Sequence, residues 1–143
     1  MKKKYLIVVA DYYKDIAKGL LDSALKLIPK SNEIKIIRVP GVFEIPVTIS
    51  KNIKKYDAFL ALGCVIKGQT PHFDFISQAS TNAIMDLSIF NKKPIGNGII
   101  TCLNMKQAKV RRKKGAEAAD AVNSVLSQKW KLILIQRIIQ ELL

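Results

Sequence analysis

Residues 62–74 read Leu-Gly-Cys-Val-Ile-Lys-Gly-Gln-Thr-Pro-His-Phe-Asp, and in this stretch an apolar run turns into the start of a helix. Thr70 suits the N-cap position and Pro71 the first helical position. A strand, a glycine turn and a helix N-terminus together form an anion-binding concavity at the carboxyl end of a parallel sheet. The only histidine of the chain, His72, lies in the same turn. We therefore expect the functional site here.

Apolar periodicity on both sides of this stretch predicts an alternation of strands and helices. Strands are predicted at residues 5–10, 33–39, 56–65 and 95–101, and helices at about 11–28, 43–53, 71–90, 104–111 and 114–128. The strand at 56–65 is apolar throughout, as in a central strand buried on both faces. Such an alternation requires a parallel sheet with right-handed crossovers. We predict one α/β domain over residues 1–143, a three-layer α/β/α sandwich around a four-stranded parallel sheet.

Two helices carry a recognisable apolar stripe. The first places Ile16, Leu20, Ala24 and Leu27 on one face and stops at Pro29. The third carries Phe75, Ile76, Ala79, Ala83 and Leu87. We expect both stripes to face the sheet. The C-terminal tail, residues 129–143, is predicted to be helical and to pack on some surface, either as an interface or as a peculiarity of this chain.

The composition limits the classes of partner. Lys and Arg number 24 against 11 Asp and Glu, which gives a formal net charge of +13. Such an excess suits phosphorylated ligands, nucleic acid or anionic membranes. The lysines are scattered through every segment, so we interpret most of the excess as solvated surface. We expect neither a nucleic-acid nor a membrane partner.

The first apolar run and the two cysteines bear on the cellular location of the protein. Residues 5–10 are too few for a signal-peptide core or a membrane span. Cys64 and Cys102 are not spaced as a metal or redox motif. Both are expected to be buried, reduced thiols in a cytoplasmic protein, with a nucleophilic role as the weaker alternative.

The sequence resembles one enzyme family at two motifs. Residues 63–74 resemble the signature G-x-V-I-[RK]-G-x-T-x-H-[FY]-[DE] of the 6,7-dimethyl-8-ribityllumazine synthase family, and residues 39–46, Val-Pro-Gly-Val-Phe-Glu-Ile-Pro, give a second match. The motifs occur in the family's order, and the resemblance extends over about residues 5–128, so the C-terminal tail lies outside it. It implies a flavodoxin-like fold and the condensation of 5-amino-6-(D-ribitylamino)uracil with 3,4-dihydroxy-2-butanone 4-phosphate in riboflavin biosynthesis, a transferase reaction without metal or other cofactor.

The resemblance implies a role for each residue of the phosphate end of the site. His72 matches the family's proton-transfer residue, and an imidazole can both accept and donate a proton. Gln69 and Thr70 match the phosphate-binding turn, although a plain N-cap explains them equally well. Arg111 falls where the family carries a phosphate-binding arginine, but the adjacent Arg112 leaves that choice open.

At the pyrimidine end, the resemblance assigns contacts to five further residues. Phe43 and Glu44 match the positions that hold the ribityl chain, while a helix-start glutamate is the simpler interpretation of Glu44. Val65 and Ile66 match positions that supply backbone contacts to the pyrimidine, although they also read as core. Tyr12 replaces the Phe or Trp on which the pyrimidine stacks.

Other positions match the part of the site that a neighbouring subunit supplies in the family. Asn97 stands where many relatives carry an aromatic residue, and Lys114 matches the lysine of the family's N-K-G. By resemblance, Arg111 belongs with them to a neighbour's pocket. Tyr13, which is not one of these positions, replaces a usual Asn. The segment 111–115 is shorter than in relatives. The resemblance implies a homo-oligomer, most simply a pentamer, with sites at the subunit interfaces.

Two other functions remain as alternatives. A non-catalytic flavodoxin-like module would hold a flavin or another phosphorylated ligand at the strand-to-helix turn that contains His72. A basic RNA-binding domain is the second alternative, but no aromatic RNA-binding motif is visible.

Overall fold

Four parallel strands form the sheet of the computed structural model, which describes residues 2–128 and 130–143. The strands lie in the order β2-β1-β3-β4. Their bounds are β1 Lys4–Ala10, β2 Glu33–Val39, β3 Ala58–Ile66 and β4 Ile95–Cys102. The predicted four-stranded parallel sheet is therefore confirmed.

Helices connect the strands and cover both faces of the sheet. They are α1 Lys14–Leu27, α2 Ile45–Asn52, α3 His72–Asn91, α4 Met105–Val110, α5 Lys114–Leu126 and α6 Trp130–Leu142, and a 3₁₀ turn, Val42–Glu44, leads into α2. The helices α1 and α5 lie on one face, and α2 and α3 lie on the other. This is the predicted α/β/α arrangement. None of the helices in the described ranges is both long enough and apolar enough to cross a bilayer.

The sheet separates two apolar cores. Successive residues of a strand point to opposite faces, so Ile7 and Val9 join the core under α1 and α5, while Leu6 and Val8 join the one under α2 and α3. Residues 58–65 of β3 are all buried, which confirms the predicted two-sided burial of this strand. Each fully buried aliphatic side chain stabilises the folded state by about 1.5–3 kcal/mol relative to leaving it exposed.

Three local predictions are wrong by a residue or a face. Leu27 is 44% exposed, and Ile28 takes its place in the core.

The apolar stripe of α3 is the second difference. Phe75 is 68% exposed and Ala79 is exposed as well. Ser80 and Ile84, which the predicted stripe omits, are buried. The pattern missed Ser80 because a hydroxyl reads as polar, but its Oγ donates to the Ile76 carbonyl at 2.7 Å and is thereby satisfied inside its own helix.

The start of α3 is the third difference. Thr70 is not the N-cap: the cap is Pro71, without a side-chain hydrogen bond. The Pro71 carbonyl already accepts hydrogen bonds from the N–H groups of Asp74 and Phe75, at 3.1 and 3.3 Å. Because this carbonyl is the first acceptor of the helix, the helix begins one residue later than predicted, at His72.

The C-terminal helix α6 exposes an apolar face. Ile135, Ile138 and Ile139 are each more than half exposed, and Leu142 is 81% exposed. These four side chains are therefore not buried within the chain, and the surface that the tail contacts stays a prediction. Residue 129 of the predicted tail lies outside the described residues, and the single-domain organisation stays a prediction.

The contact between α1 and α5 requires a glycine. A Cβ at Gly115 would overlap the backbone oxygen of Leu20 and would lie 2.7 Å from Ser23 Oγ. The same junction is held by Ser23 Oγ, which donates to the Arg112 carbonyl at 3.1 Å, and by Asn123 Nδ2, which donates to the Leu27 carbonyl at 2.8 Å. The helix α5 is thereby fixed against α1 near both of its ends.

We expect Gly115→Ala to destabilise the protein by about 2 kcal/mol, measured by urea unfolding. Overpacking against a fixed backbone oxygen costs up to about 3 kcal/mol, whereas alanine gains only about 1 kcal/mol in helix propensity. Gly68→Ala is the matched control, since a Cβ at Gly68 meets no atom within 4 Å. A Gly115→Ala stability within about 0.5 kcal/mol of wild type would contradict the close packing.

Candidate functional site

A cleft of about 760 Å³ opens at the carboxyl edge of the sheet. Three segments border it: the chain after β1, the turn after β2, and the connection from β3 to α3. The lining residues are Tyr12, Tyr13, Gly41, Val42, Phe43, Glu44, Cys64, Val65, Ile66, Gly68, Thr70, His72, Phe73 and Ile76. Seven of the residues predicted for the site therefore meet here, from segments up to 60 residues apart: Tyr12, Phe43, Glu44, Val65, Ile66, Thr70 and His72.

A glycine allows the segments to come together. A Cβ at Gly63 of β3 would lie 2.9 Å from Val42 Cγ2 and 3.1 Å from Ala10 Cβ. The turn that carries Phe43 and Glu44 therefore packs directly onto the end of β3. The sequence motif contains this glycine, but only the packing shows why a larger residue would displace the turn.

An ion pair and a backbone bond fix the segment after β1. The Asp11 N–H donates to the Val39 carbonyl at 2.9 Å, and Arg38 Nη1 donates to Asp11 Oδ1 at 3.0 Å. Tyr12 follows directly. Neither Asp11 nor Arg38 was predicted as part of the site, because both lie outside the two motifs.

His72 is the first residue of α3, and its exposed side chain lines the cleft. The first N–H groups of a helix, here those of His72 and Phe73, lack partners within the helix. They and the positive end of the helix dipole favour an anion at this position. Thr70 lines the cleft beside them, whereas Gln69 is exposed and is not among the lining residues.

Aromatic rings and a carboxylate form the opposite part of the cleft. Tyr12 is 75% exposed and Phe43 is 72% exposed, so both rings are available to a planar ligand. The Glu44 carbonyl accepts a hydrogen bond from Thr48 Oγ1 at 2.7 Å, which fixes its backbone. Its carboxylate has no hydrogen bond or ion pair within the described residues and can accept hydrogen bonds from hydroxyl groups of a ligand.

The two cysteines meet at the end of the sheet. Cys64 on β3 and Cys102 on β4 are both free and buried. Burial, with a smaller effect of the neighbouring Cys102 thiol, raises the pKa of Cys64 to about 12. Burial also raises the pKa of Cys102. Thiols that stay protonated near neutral pH are poor nucleophiles, which disfavours the nucleophilic alternative for both cysteines.

A second basin of about 450 Å³ holds the basic residues predicted for the site. It lies beside β4, α4 and α5, and its lining residues are Ile99, Ile100, Thr101, Val110, Arg111, Lys113, Lys114 and Glu117. It shares no lining residue with the cleft. Within one chain, Arg111 and Lys114 are therefore not brought together with His72.

The two adjacent arginines have different surroundings. Arg112 Nη1 donates to Asp15 Oδ2 at 3.1 Å, and its Nε donates to the Lys109 carbonyl at 2.9 Å. Among the described residues, the Arg111 guanidinium donates only to the Gln107 carbonyl, at 3.2 Å, and Arg111 lines the basin. Arg112 therefore fastens the segment between α4 and α5 to α1, while Arg111 keeps most of its donors free within the described chain.

Asn97 lies in neither cavity. It is an exposed residue of the edge strand β4, and its Oδ1 accepts a hydrogen bond from the Ile99 N–H at 3.1 Å. Within the described residues, no group of three His, Cys, Asp or Glu side chains is arranged to hold a metal ion.

The chain is similar to one protein family over nearly its whole length. A family model described as 6,7-dimethyl-8-ribityllumazine synthase matches residues 2–129. The 6,7-dimethyl-8-ribityllumazine synthase of Agrobacterium fabrum is 40% identical over 146 residues, which cover 92% of this chain and 99% of the relative. The corresponding proteins of Methylorubrum extorquens (strain PA1) and Cutibacterium acnes are 42% and 40% identical, covering 88% and 87% of this chain and 80% of each relative. The chain therefore belongs to the 6,7-dimethyl-8-ribityllumazine synthase family.

Proposed function

We propose that the protein condenses 5-amino-6-(D-ribitylamino)uracil with 3,4-dihydroxy-2-butanone 4-phosphate, releasing phosphate and water, to form 6,7-dimethyl-8-ribityllumazine in riboflavin biosynthesis. The observation that carries this proposal is the cleft at the carboxyl edge of the sheet. The chain belongs to this family, and its cleft is lined by aromatic, acidic and histidine side chains from three separate segments. The non-catalytic flavin-binding alternative has no support, because the relatives are named as synthases.

The reaction requires alignment of two substrates and several proton transfers. The amine attacks the ketone, and an imine forms with loss of water. Phosphate then leaves by elimination, the resulting enol becomes a ketone, and the ribityl-bearing nitrogen attacks it to close the ring with loss of a second water. Holding both substrates in one cleft supplies much of the acceleration. Proton transfer by a positioned group adds about 10²–10⁴-fold. His72 is the proposed proton-transfer residue, since its exposed imidazole borders the cleft beside the proposed phosphate position.

The pyrimidine occupies the aromatic side of the cleft in this proposal. Tyr12 stacks on the ring, and the backbone groups of Val65 and Ile66 bind its polar edge. Phe43 and Glu44 hold the ribityl chain, with the Glu44 carboxylate accepting from its hydroxyl groups. The exposure of the two rings and the free carboxylate support these roles.

The phosphate is proposed to bind at the start of α3, with the backbone at Gln69 and Thr70 and the Thr70 hydroxyl as donors. Asn97, Arg111 and Lys114 then complete the site from the neighbouring subunit of a homo-oligomer, most simply a pentamer. Two features support this: one chain keeps the cleft and the Arg111 basin apart, and a ring repeats the same heterologous junction between all neighbours. We also propose a cytoplasmic location, which the two free, buried thiols fit.

The direct test is incubation of the purified protein with both substrates while the fluorescence of the lumazine product is followed. The proposed enzyme forms product far faster than the substrates do alone. A binding module would bind one ligand and leave the rate unchanged, and that result would overturn the proposal.

We expect His72→Ala to lower kcat by roughly 10- to 10³-fold and to leave the KM values of both substrates nearly unchanged. Alignment in the cleft retains part of the acceleration. His72→Asn is the matched variant, because it keeps a hydrogen-bonding side chain that does not titrate. It should be as slow as His72→Ala; full activity in either variant would exclude proton transfer by His72.

We expect Arg111→Ala to weaken binding of the butanone phosphate by about 2–3 kcal/mol and to leave pyrimidine binding unchanged, as measured by titration calorimetry. This is the usual range for a lost charge-assisted hydrogen bond. Arg112→Ala is the matched control. It removes the exposed ion pair with Asp15, so it should cost at most about 1 kcal/mol of stability and leave phosphate binding intact. A phosphate defect in Arg112→Ala alone would move the role to Arg112.

A further inference from the structure

The ring of Tyr12 has little to hold it in place. It is 75% exposed, and its hydroxyl has no hydrogen bond within the described residues. Its one described ring contact is with Tyr13: the centroids are 4.9 Å apart and the planes meet at 76°. This is the edge-to-face arrangement that the aromatic quadrupole favours. The orientation of Tyr12 therefore depends on its neighbour.

Tyr13, by contrast, is well anchored. It is only partly exposed and packs against the core cluster under α1 and α5. Its carbonyl accepts a hydrogen bond from the Ala17 N–H at 2.9 Å, which makes it the N-cap residue of α1. Its side chain also borders the cleft, together with Cys64. Tyr13 thus connects a fixed helix start with an otherwise free ring.

We propose that Tyr13 is a positioning residue for the pyrimidine: its anchored ring holds the Tyr12 ring edge-on, so that Tyr12 presents a fixed face to a planar ligand. The proposal deepens the function proposed above and rests on it. An exposed tyrosine without this contact samples several rotamers, and binding then has to select one of them. A ring that is already fixed loses less conformational entropy when the ligand binds. Tyr13 therefore affects binding by orienting Tyr12.

The chain offers a matched control in a second aromatic pair. Tyr56 meets Phe59 edge-to-face at 6.2 Å and 71°. Tyr56 precedes β3, at the opposite end of the sheet from the cleft. Tyr56→Leu removes a comparable ring contact without touching the proposed site, so it reports the effect of losing such a contact on stability alone.

The test measures binding of ribitylaminouracil by titration calorimetry, and the KM of each substrate, in Tyr13→Leu, Tyr13→Phe, Tyr12→Leu and the double variant. Aromatic pairs of this kind correspond to about a two- to tenfold change in an equilibrium constant. We expect Tyr13→Leu to raise the pyrimidine Kd and KM by about that factor, with the KM of the butanone phosphate unchanged. Tyr13→Phe should restore wild-type values, because the ring and not the hydroxyl makes the contact. Tyr56→Leu should leave both KM values unchanged.

The double variant decides whether Tyr13 acts through Tyr12. If it does, adding Tyr13→Leu to Tyr12→Leu changes the pyrimidine Kd no further. If the Kd increases of the two single variants multiply in the double variant, Tyr13 acts on the ligand independently of Tyr12, and the proposal is overturned. An unchanged Kd in folded Tyr13→Leu would overturn it too. Wild-type protein that binds the pyrimidine but forms no lumazine would overturn the proposed function instead, because the calorimetric comparison does not depend on turnover.

Discussion

Burial of β3 on both faces is the constraint on which the rest of the structure depends. A strand with apolar side chains on both sides has to lie inside the sheet and has to be covered by helices on both faces. All four strands run parallel, so every strand ends at the same edge of the sheet. That edge collects the segments after β1, β2 and β3, and the close approach permitted by Gly63 brings the turn with Phe43 and Glu44 onto the end of β3. The position of the cleft is therefore a consequence of how β3 is buried in the core.

The sequence predicts the sheet and most of the cleft because their signals are local. The apolar run of β3, the turn before α3 and the two motifs each lie within a few residues. Thr70 and Ser80 show the limit of such patterns. Which carbonyl first accepts helical hydrogen bonds, and whether a hydroxyl is satisfied within its helix, depend on backbone geometry that residue type alone does not determine.

The different roles of the two arginines between α4 and α5 could be recognised only from the tertiary structure. Arg111 and Arg112 are adjacent and chemically identical, so no local pattern separates them. The distinction comes from Asp15, which lies 97 residues away in sequence and pairs with Arg112. The resemblance assigns Arg111 to a neighbouring subunit's site, and in the fold Arg111 and His72 border different cavities of one chain. Tyr13, too, becomes significant only once its ring is seen between the core and Tyr12.

The central claim is that one chain's cleft is completed by another chain's basin, and subunit complementation tests it most directly. His72→Ala and Arg111→Ala proteins are mixed under conditions that allow subunits to exchange, and exchange is verified by mass. In randomly mixed rings, about a quarter of the junctions pair an intact His72 with an intact Arg111 of the next chain, so activity should rise to about that share of wild type. Exchange without any rise above the two parent proteins would contradict a site shared between subunits.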